Sequence, residues 1–439
     1  MNFNKFFELA ASRGIEESQL LISKSNSLSI SLFRHEIENF SVNDSQSVSA
    51  AGIVNGKFGS STTQKLDKDT FGFLVDKILL TASLNEKEET ADIFKGSEKY
   101  HKKTVYNPAL AETKAEDKLA LIKSIEDKTY AADPRVCEVE VSYAERESAS
   151  EFYNSYGLKL KQKSNYFYIS VYAILREGEV TKNNYAIVLD KDLSAVDVDA
   201  LVKEAVEGAA KKFGADSLLS KKYPTVICRD VMASLVNYFL SSAIADQVQR
   251  HSSMLEGKLG QKIASSKLTI EEKPLEKNVF FSYFDGEGVA RTNKAVVKNG
   301  VLKTYFYNRE TAKKDGVEST GNGSWGGGSI DTDFGNVFVK PGKQSFDELI
   351  ADIDDGVYIT DVAGLGTGMN EISGDFSCQA EGFRIVNGKL AEPLTLITLS
   401  GNLLKMLKDL KGFANDAKMT VQSISVASAY IKSMNIGGK

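Results

Sequence analysis

The sequence predicts an α+β protein, because strand patterns and helix patterns fall in separate blocks rather than alternating strictly. Period-two alternation runs from Gln19 to Thr63 and returns over 135–190, an amphipathic helical segment closes on Gly214, and the remainder to Gly401 is rich in loops and strands. A chain of 439 residues suits two or three domains with sizeable cores. We place one boundary just after the Gly214 segment, giving an N-terminal α+β domain over 1–215 and a C-terminal β-rich domain over 216–439.

The opening MNFNKFFELAASRG puts Phe3, Phe6, Phe7 and Ala10 at helical spacing, predicting a helix near 3–13, and is too short and too charged for a secretory signal. The runs LLIS, SLSISLF, EIENFSV, SVSAAGIV and KFGSSTT then read as short strands of an antiparallel meander. Its breaks fall at Asn26, Asn43-Asp44 and Asn55-Gly56, the last a hairpin turn. Helices follow over about 68–83 and 113–131, separated by a polar stretch rich in Lys and Glu that reads as an exposed connection. Residues 135–190 return to strands, EFYNSYGLKL and SNYFYISVYAIL among them, with a turn at Asn183-Asn184. LSAVDVDALVKEAVEGAAKKFG is an amphipathic helix with Gly214 as its C′ glycine and Lys211 and Lys212 complementing the dipole. The second half opens with the strand PTVICRD and a helix from about Met232 to Gln249, and its last helix is LLKMLKDL.

Composition narrows the function. With 42% hydrophobic and 26% charged residues the chain is an ordinary globular protein, and 54 Lys+Arg against 59 Asp+Glu, a net charge of −5, argues against a broad nucleic-acid footprint. Cys137, Cys228 and Cys378 lie far apart without C-x-x-C spacing, so neither a disulfide framework nor a zinc ribbon is indicated, and a reducing cytosol fits. No segment approaches the roughly 18–20 apolar residues of a membrane span, so the expectation is a soluble cytoplasmic protein without membrane contact.

The most informative segment is Phe284–Arg309, FDGEGVARTNKAVVKNGVLKTYFYNR. Gly286 and Gly288 make a tight loop, NKAVVKNGVLKTYFY a hairpin turning at Asn299-Gly300, and Asp285, Glu287, Arg291 and Arg309 ring the loop with charge. The bland reading is a charged hairpin. Elsewhere the signals are weaker. His35, His101 and His251 are the only histidines, with no pair at i and i+4; His35 sits in a strand pattern, and His251, just past a helix, reads as solvated or capping. Cys378 reads as a small buried residue. SWGGGSIDTD, with the single tryptophan Trp325, is a substrate-facing or a surface loop. Gly364–Gly368 lacks the G-K-[ST] of a phosphate loop, and DELIADIDDG lacks calcium-loop spacing.

Taken together, D-x-E-G, R-T, the N-G-V-L-K turn and Y-x-x-x-R-x-T-A-K-K resemble the TldD/PmbA family, once described as modulators of DNA gyrase and understood as a two-subunit zinc peptidase system. The likeness extends in order through E-I-E-N, V-N-G-K-F-G-S-S-T-T, S-T-G-N-G at Ser319–Gly323, S-G-D-F-S, E-G-F-R-I-V-N-G-K and L-S-G-N-L-L-K-M-L, nearly the whole chain. In the TldD kind of subunit, H-E-x-x-x-H on a second-domain helix sets two imidazoles on one face for zinc, with the glutamate as general base, and a cysteine lies near the C-terminus. Here the corresponding helix reads MASLVNYFLSSAIADQVQR, without histidine, and GFANDAKMT has no cysteine.

The resemblance therefore implies a PmbA/TldE-type subunit without catalytic or metal residues of its own, with zinc in a TldD-type partner and peptides or unfolded polypeptides as substrate. It implies a C-terminal domain dominated by a curved antiparallel sheet, and makes Asp285, Glu287, Arg291, Arg309, Gly321 and Gly323 substrate-contact candidates that equally suit a brace. The alternatives are a stand-alone homodimeric peptide-binding or regulatory protein without peptidase activity, and a peptidase acting by itself through unrecognised ligands.

Overall fold

The computed structural model describes residues 2–86, 92–326 and 328–439. The first half is built on one antiparallel sheet in the order β3-β2-β1-β4-β5-β6, with β1 Glu17–Phe33, β2 Glu36–Val54, β3 Lys57–Thr63, β4 Val136–Asn154, β5 Lys159–Glu177 and β6 Val180–Asp190. Alternation divides its faces. On β1, Leu20 and Ile22 lie under α1 (Asn4–Ser12) and α2 (Thr70–Leu84). Ile30 and Leu32, on the same face, join the core formed with α3 (Pro108–Glu112), α4 (Ala115–Ala132) and α5 (Val198–Ala210). The opposite face carries Leu21 and Phe152, which pack on Phe281, Tyr283 and Phe284 from the second half.

The second half runs β7 (Lys221–Ile227), α6 (Arg229–Ser241), α7 (Ala245–Gln249), β8 (Ile270–Glu272), β9 (Lys294–Lys298), β10 (Val301–Leu302), α8 (Arg309–Asp315), β11 (Gly323–Gly326), β12 (Ser329–Thr332) and β13 (Val337–Val339). It continues through α9 (Phe346–Ile350), β14 (Asp355–Ala363), α10 (Leu365–Gly368), β15 (Asp375–Val386), β16 (Lys389–Asn402), α11 (Leu403–Lys408), β17 (Leu410–Phe413), β18 (Lys418–Met419), β19 (Ile424–Val426) and β20 (Ala429–Gly437). Strands β16-β15-β14-β7-β20-β17 form a curled sheet that β16–β20 pairing closes like a barrel; only β7–β14 within it is parallel. The α+β class and the curved second sheet thus stand as expected. A second sheet, β10-β9-β8-β13-β19-β18, shares the large core into which α6 sends its apolar face.

Several local expectations change. Asn26 and Asn43-Asp44 are not turns: β1 is paired along its length by β2 and β4, Asn26 lying opposite Asp44 and Glu147, so the polar residues sit within long strands. The reversal between β1 and β2 falls at Arg34 and His35, both with positive φ, which moves His35 from a strand to a turn. Asn183-Asn184 lies inside β6, the turn being at Gly178. The helix expected over 232–249 is two helices. Of the connection expected to be exposed, 87–91 lie outside the described residues, whereas Ile93 and Val105 are buried. The hairpins at Asn55-Gly56 and Asn299-Gly300 are as expected.

Candidate functional site

The loop Tyr283–Arg291 folds back on itself and lies over the exposed face of the first sheet. Asp285 N–H donates to Val289 O (3.0 Å) and Arg291 N–H to Tyr283 O (3.1 Å). The loop is stitched to the first half: Tyr283 Oη donates to Lys161 O (2.6 Å), Tyr100 Oη to Gly288 O (2.6 Å), and Ala290 N–H to Ser97 Oγ (3.0 Å).

Asp285 points into this loop and is 3% exposed. Its Oδ1 accepts from Glu287 N–H and Val289 N–H, both at 2.9 Å, and its Oδ2 from Gly323 N–H at 2.8 Å. Glu287, also buried, accepts the Arg309 N–H at 2.9 Å, beside Asn308, which caps the same helix by accepting from Thr311 N–H. Burial pushes both carboxyls up, Glu287 to about 8 with the neighbouring Asp285 charge adding to the effect, while Arg291 and three backbone donors pull Asp285 back. The buried pair therefore favours holding a proton near neutral pH.

Gly323 is required by this approach, since a Cβ there would lie 2.6 Å from Glu287 Oε2. Gly321 holds φ +72°, with Ala290 O at 3.1 Å from the position of an added Cβ. Arg309 turns away from the loop: Nη1 and Nη2 donate to Asp92 O (2.9 Å) and Asp92 Oδ2 (2.7 Å), and its guanidinium lies over Phe94. Below, Glu272 pairs with Lys294 and accepts from Asn322 Nδ2 at 2.8 Å, another buried brace.

Only part of the expected set faces open space. A cavity of about 410 Å³ lies between the loop and the sheet; Asp285, Arg291 and Gly323 line it, whereas Glu287, Arg309 and Gly321 do not. Sequence reasoning missed its floor, Ser23, Ser47, Ser49, Ser150 and Gln162, although the alternating SKSNSLSIS run carried a signal. Trp325 lies at the cavity in β11, its Nε1 donating to Gly286 O (2.9 Å).

A larger cleft of about 590 Å³ separates the two halves at the β6 edge of the first sheet, lined by residues such as Tyr185, Glu204, Arg229, Asp230 and Tyr358. It is bridged by the Arg229–Glu204 ion pair (2.8 Å) and by Lys418 Nζ donating to Ile187 O (2.8 Å). Cys228, beside it, is buried and pushed up to about 12, and Cys378 is buried and pushed up to about 11, so neither is an activated thiol.

Metal chemistry finds no fitting donor set on α6. Its Val231, Met232, Leu235, Val236, Phe239 and Leu240 are buried hydrophobics, and no histidine or cysteine lies within it. His251 is exposed and pairs with Glu256 at 2.6 Å. Among the described residues no group of three or more His, Cys, Asp or Glu is placed to hold a metal ion. Among them too, no helix is long and apolar enough to cross a membrane.

Comparison with known proteins agrees with this architecture. Residues 108–213 match the family model of the PmbA/TldA metallopeptidase central domain, and residues 220–438 that of the PmbA/TldA metallopeptidase C-terminal domain. A Methanothermobacter thermautotrophicus metalloprotease is 33% identical over 64% of this chain, the match spanning 63% of that relative. The Haemophilus influenzae metalloprotease PmbA homolog is 25% identical over 98% of this chain and 94% of its own. A crystal structure of a proposed modulator of a DNA gyrase from Thermotoga maritima superposes with a TM-score of 0.91 at 28% identity, covering 99% of both chains. TldE from Thermococcus kodakarensis shares the fold, with a TM-score of 0.90 at 20% identity over 99% of this chain and 100% of its own. Two family models cover more than half of the sequence, and the fold and motif order concur: the chain belongs to the TldD/PmbA metallopeptidase family.

Proposed function

We propose that this chain is the PmbA/TldE-type subunit of a cytoplasmic peptidase, paired with a TldD-type subunit that holds the zinc and hydrolyses the peptide bond. The observation that carries this reading is α6, whose inward face is entirely apolar in a family whose TldD kind places its zinc-binding histidines on a helix of this region. Zinc bound by the partner would supply the activated water; among the described residues of this chain no group of three or more His, Cys, Asp or Glu is placed to hold a metal for that step. This chain closes the chamber and holds an extended peptide or unfolded polypeptide against the open face of its first sheet. The stitched loop and the hydroxyl-lined floor beneath it are suited to that task, since they offer many hydrogen-bonding groups and few side-chain pockets. Three unpaired cysteines fit a reducing compartment.

Co-expression with a TldD-type subunit from the same source tests the pairing. The expected result is a stable complex that degrades an unfolded polypeptide, with this chain alone inactive. A protein that remains homodimeric and binds peptide without such a partner would replace this reading with that of a stand-alone peptide-binding protein.

A further inference from the structure

The cavity beneath the Tyr283–Arg291 loop combines an ordered floor of hydroxyls with one cation that has donors to spare. Strand register aligns Ser47, Ser23, Ser150 and Gln162 side by side across β2, β1, β4 and β5. Two residues further along, Ser45, Ser25, Ser148 and Ser164 repeat the row, so the floor continues out of the cavity onto the open face of the sheet.

The roof differs from the floor in holding charge, and most of that charge is committed. Asp285 spends both oxygens on three backbone N–H groups. Glu287 faces the start of α8, Arg309 is held by Asp92, and Lys294 is paired with Glu272. Arg291 is the exception. Its Nε is buried without a hydrogen-bond partner, and among the described residues its guanidinium forms no ion pair, its charge reaching Asp285 only through space. A guanidinium matches a carboxylate best, because its parallel N–H groups meet both oxygens at once.

We propose that this cavity binds a carboxylate of an extended peptide, gripped by Arg291 and hydrogen-bonded by the Ser23, Ser47 and Ser150 row. The proposal rests on the reading that the protein handles polypeptide, and it specifies which chemical group is anchored. Both the C-terminus of a peptide and an acidic side group present it. A volume of about 410 Å³ accommodates a residue-sized end of a peptide, while the second hydroxyl row faces the segment that follows.

The single tryptophan supplies the readout, because Trp325 lines the same cavity. The purified protein is titrated with a short N-acetylated peptide that has no ionisable side chain and ends in a free carboxylate, with its neutral C-terminal amide, and with the amide carrying one internal glutamate. The free acid is expected to change Trp325 emission saturably and to bind at least about tenfold more tightly than the neutral amide. Given that preference, recovery of binding by the glutamate-bearing amide shows that a side-group carboxylate is accepted as well as a terminus, and continued weakness restricts the site to peptide termini; either outcome upholds the proposal. Arg291→Gln is expected to erase the preference for acid over amide, and Arg291→Lys to weaken it, both with the far-ultraviolet circular dichroism of the native protein retained. Equal binding of acid and neutral amide, the absence of any saturable response, or a preference that survives Arg291→Gln would overturn it. These titrations need no partner subunit. A complex that forms and cleaves while the preference is absent removes this inference alone, and a preference without a complex removes only the heteromeric reading.

Discussion

Helix α6 and the Tyr283–Arg291 loop are the two regions where a peptidase of this family invites a search for chemistry, and they are built in opposite ways. The helix turns hydrophobic residues inward and carries no imidazole, so its contribution is packing. The loop buries carboxyls and surrounds them with donors, so its charge looks catalytic, yet Asp285 and Glu287 are consumed in holding backbone together. Perturbed carboxyls mark candidate functional sites, but structural networks perturb them as well. The distinction lies in what remains unsatisfied, and in this loop that is Arg291.

The contrast can be broken most forcefully at the helix. Phe239 is fully buried, so Phe239→Ala is expected to cost about 3–5 kcal/mol in urea unfolding, the signature of core rather than site. At the loop, Asp285→Ala leaves three backbone donors without their acceptor and should cost about 3 kcal/mol, with proteolysis of the loop rising in parallel. A loss near zero would mean that Asp285 is not a brace.

The next effect is a slope. Because burial raises Glu287 from 4.5 to about 8, the folded state keeps a proton that the unfolded state releases. The resulting stability is complete below about pH 4.5 and is lost as pH rises through about 8. The thermal midpoint of the native protein should therefore fall across that window relative to Glu287→Gln, whose curve should lack this component; parallel curves would remove the protonated glutamate. The smallest effect belongs to Arg309. It tethers Asp92, an exposed residue, so Arg309→Ala should cost about 1 kcal/mol or less and loosen the segment around Phe94 in hydrogen exchange. A larger loss would give Arg309 a role in the core of the loop.

Much of the fold was legible where local chemistry decides it. Asn55-Gly56 and Asn299-Gly300 supply the positive φ that their hairpins need, and both turned as read. Asn26 misled because its neighbours on β2 and β4 are distant in sequence, and pairing on both sides overrides a local turn preference. Arg34 and His35 carry no turn signal at all, yet they adopt positive φ because the two long strands must reverse there. The candidate charges were legible as residues but not as roles. Whether Asp285 braces or binds depends on Gly323 N–H, and that donor lies far along the sequence. The serine rows show the same limit, since alternation puts hydroxyls on one face while only register across four strands aligns them into a floor.

In the proposed pairing this protein contributes binding and closure while a TldD-type partner contributes the metal. Elemental analysis of the purified, untagged protein against its concentration, alone and then in complex with a TldD-type subunit, decides this division of labour. Essentially no zinc is expected in the protein alone, and zinc in the complex is expected to follow the amount of partner. Zinc near one equivalent per molecule in the isolated protein would contradict it, and would make it a metallopeptidase with ligands other than those of α6.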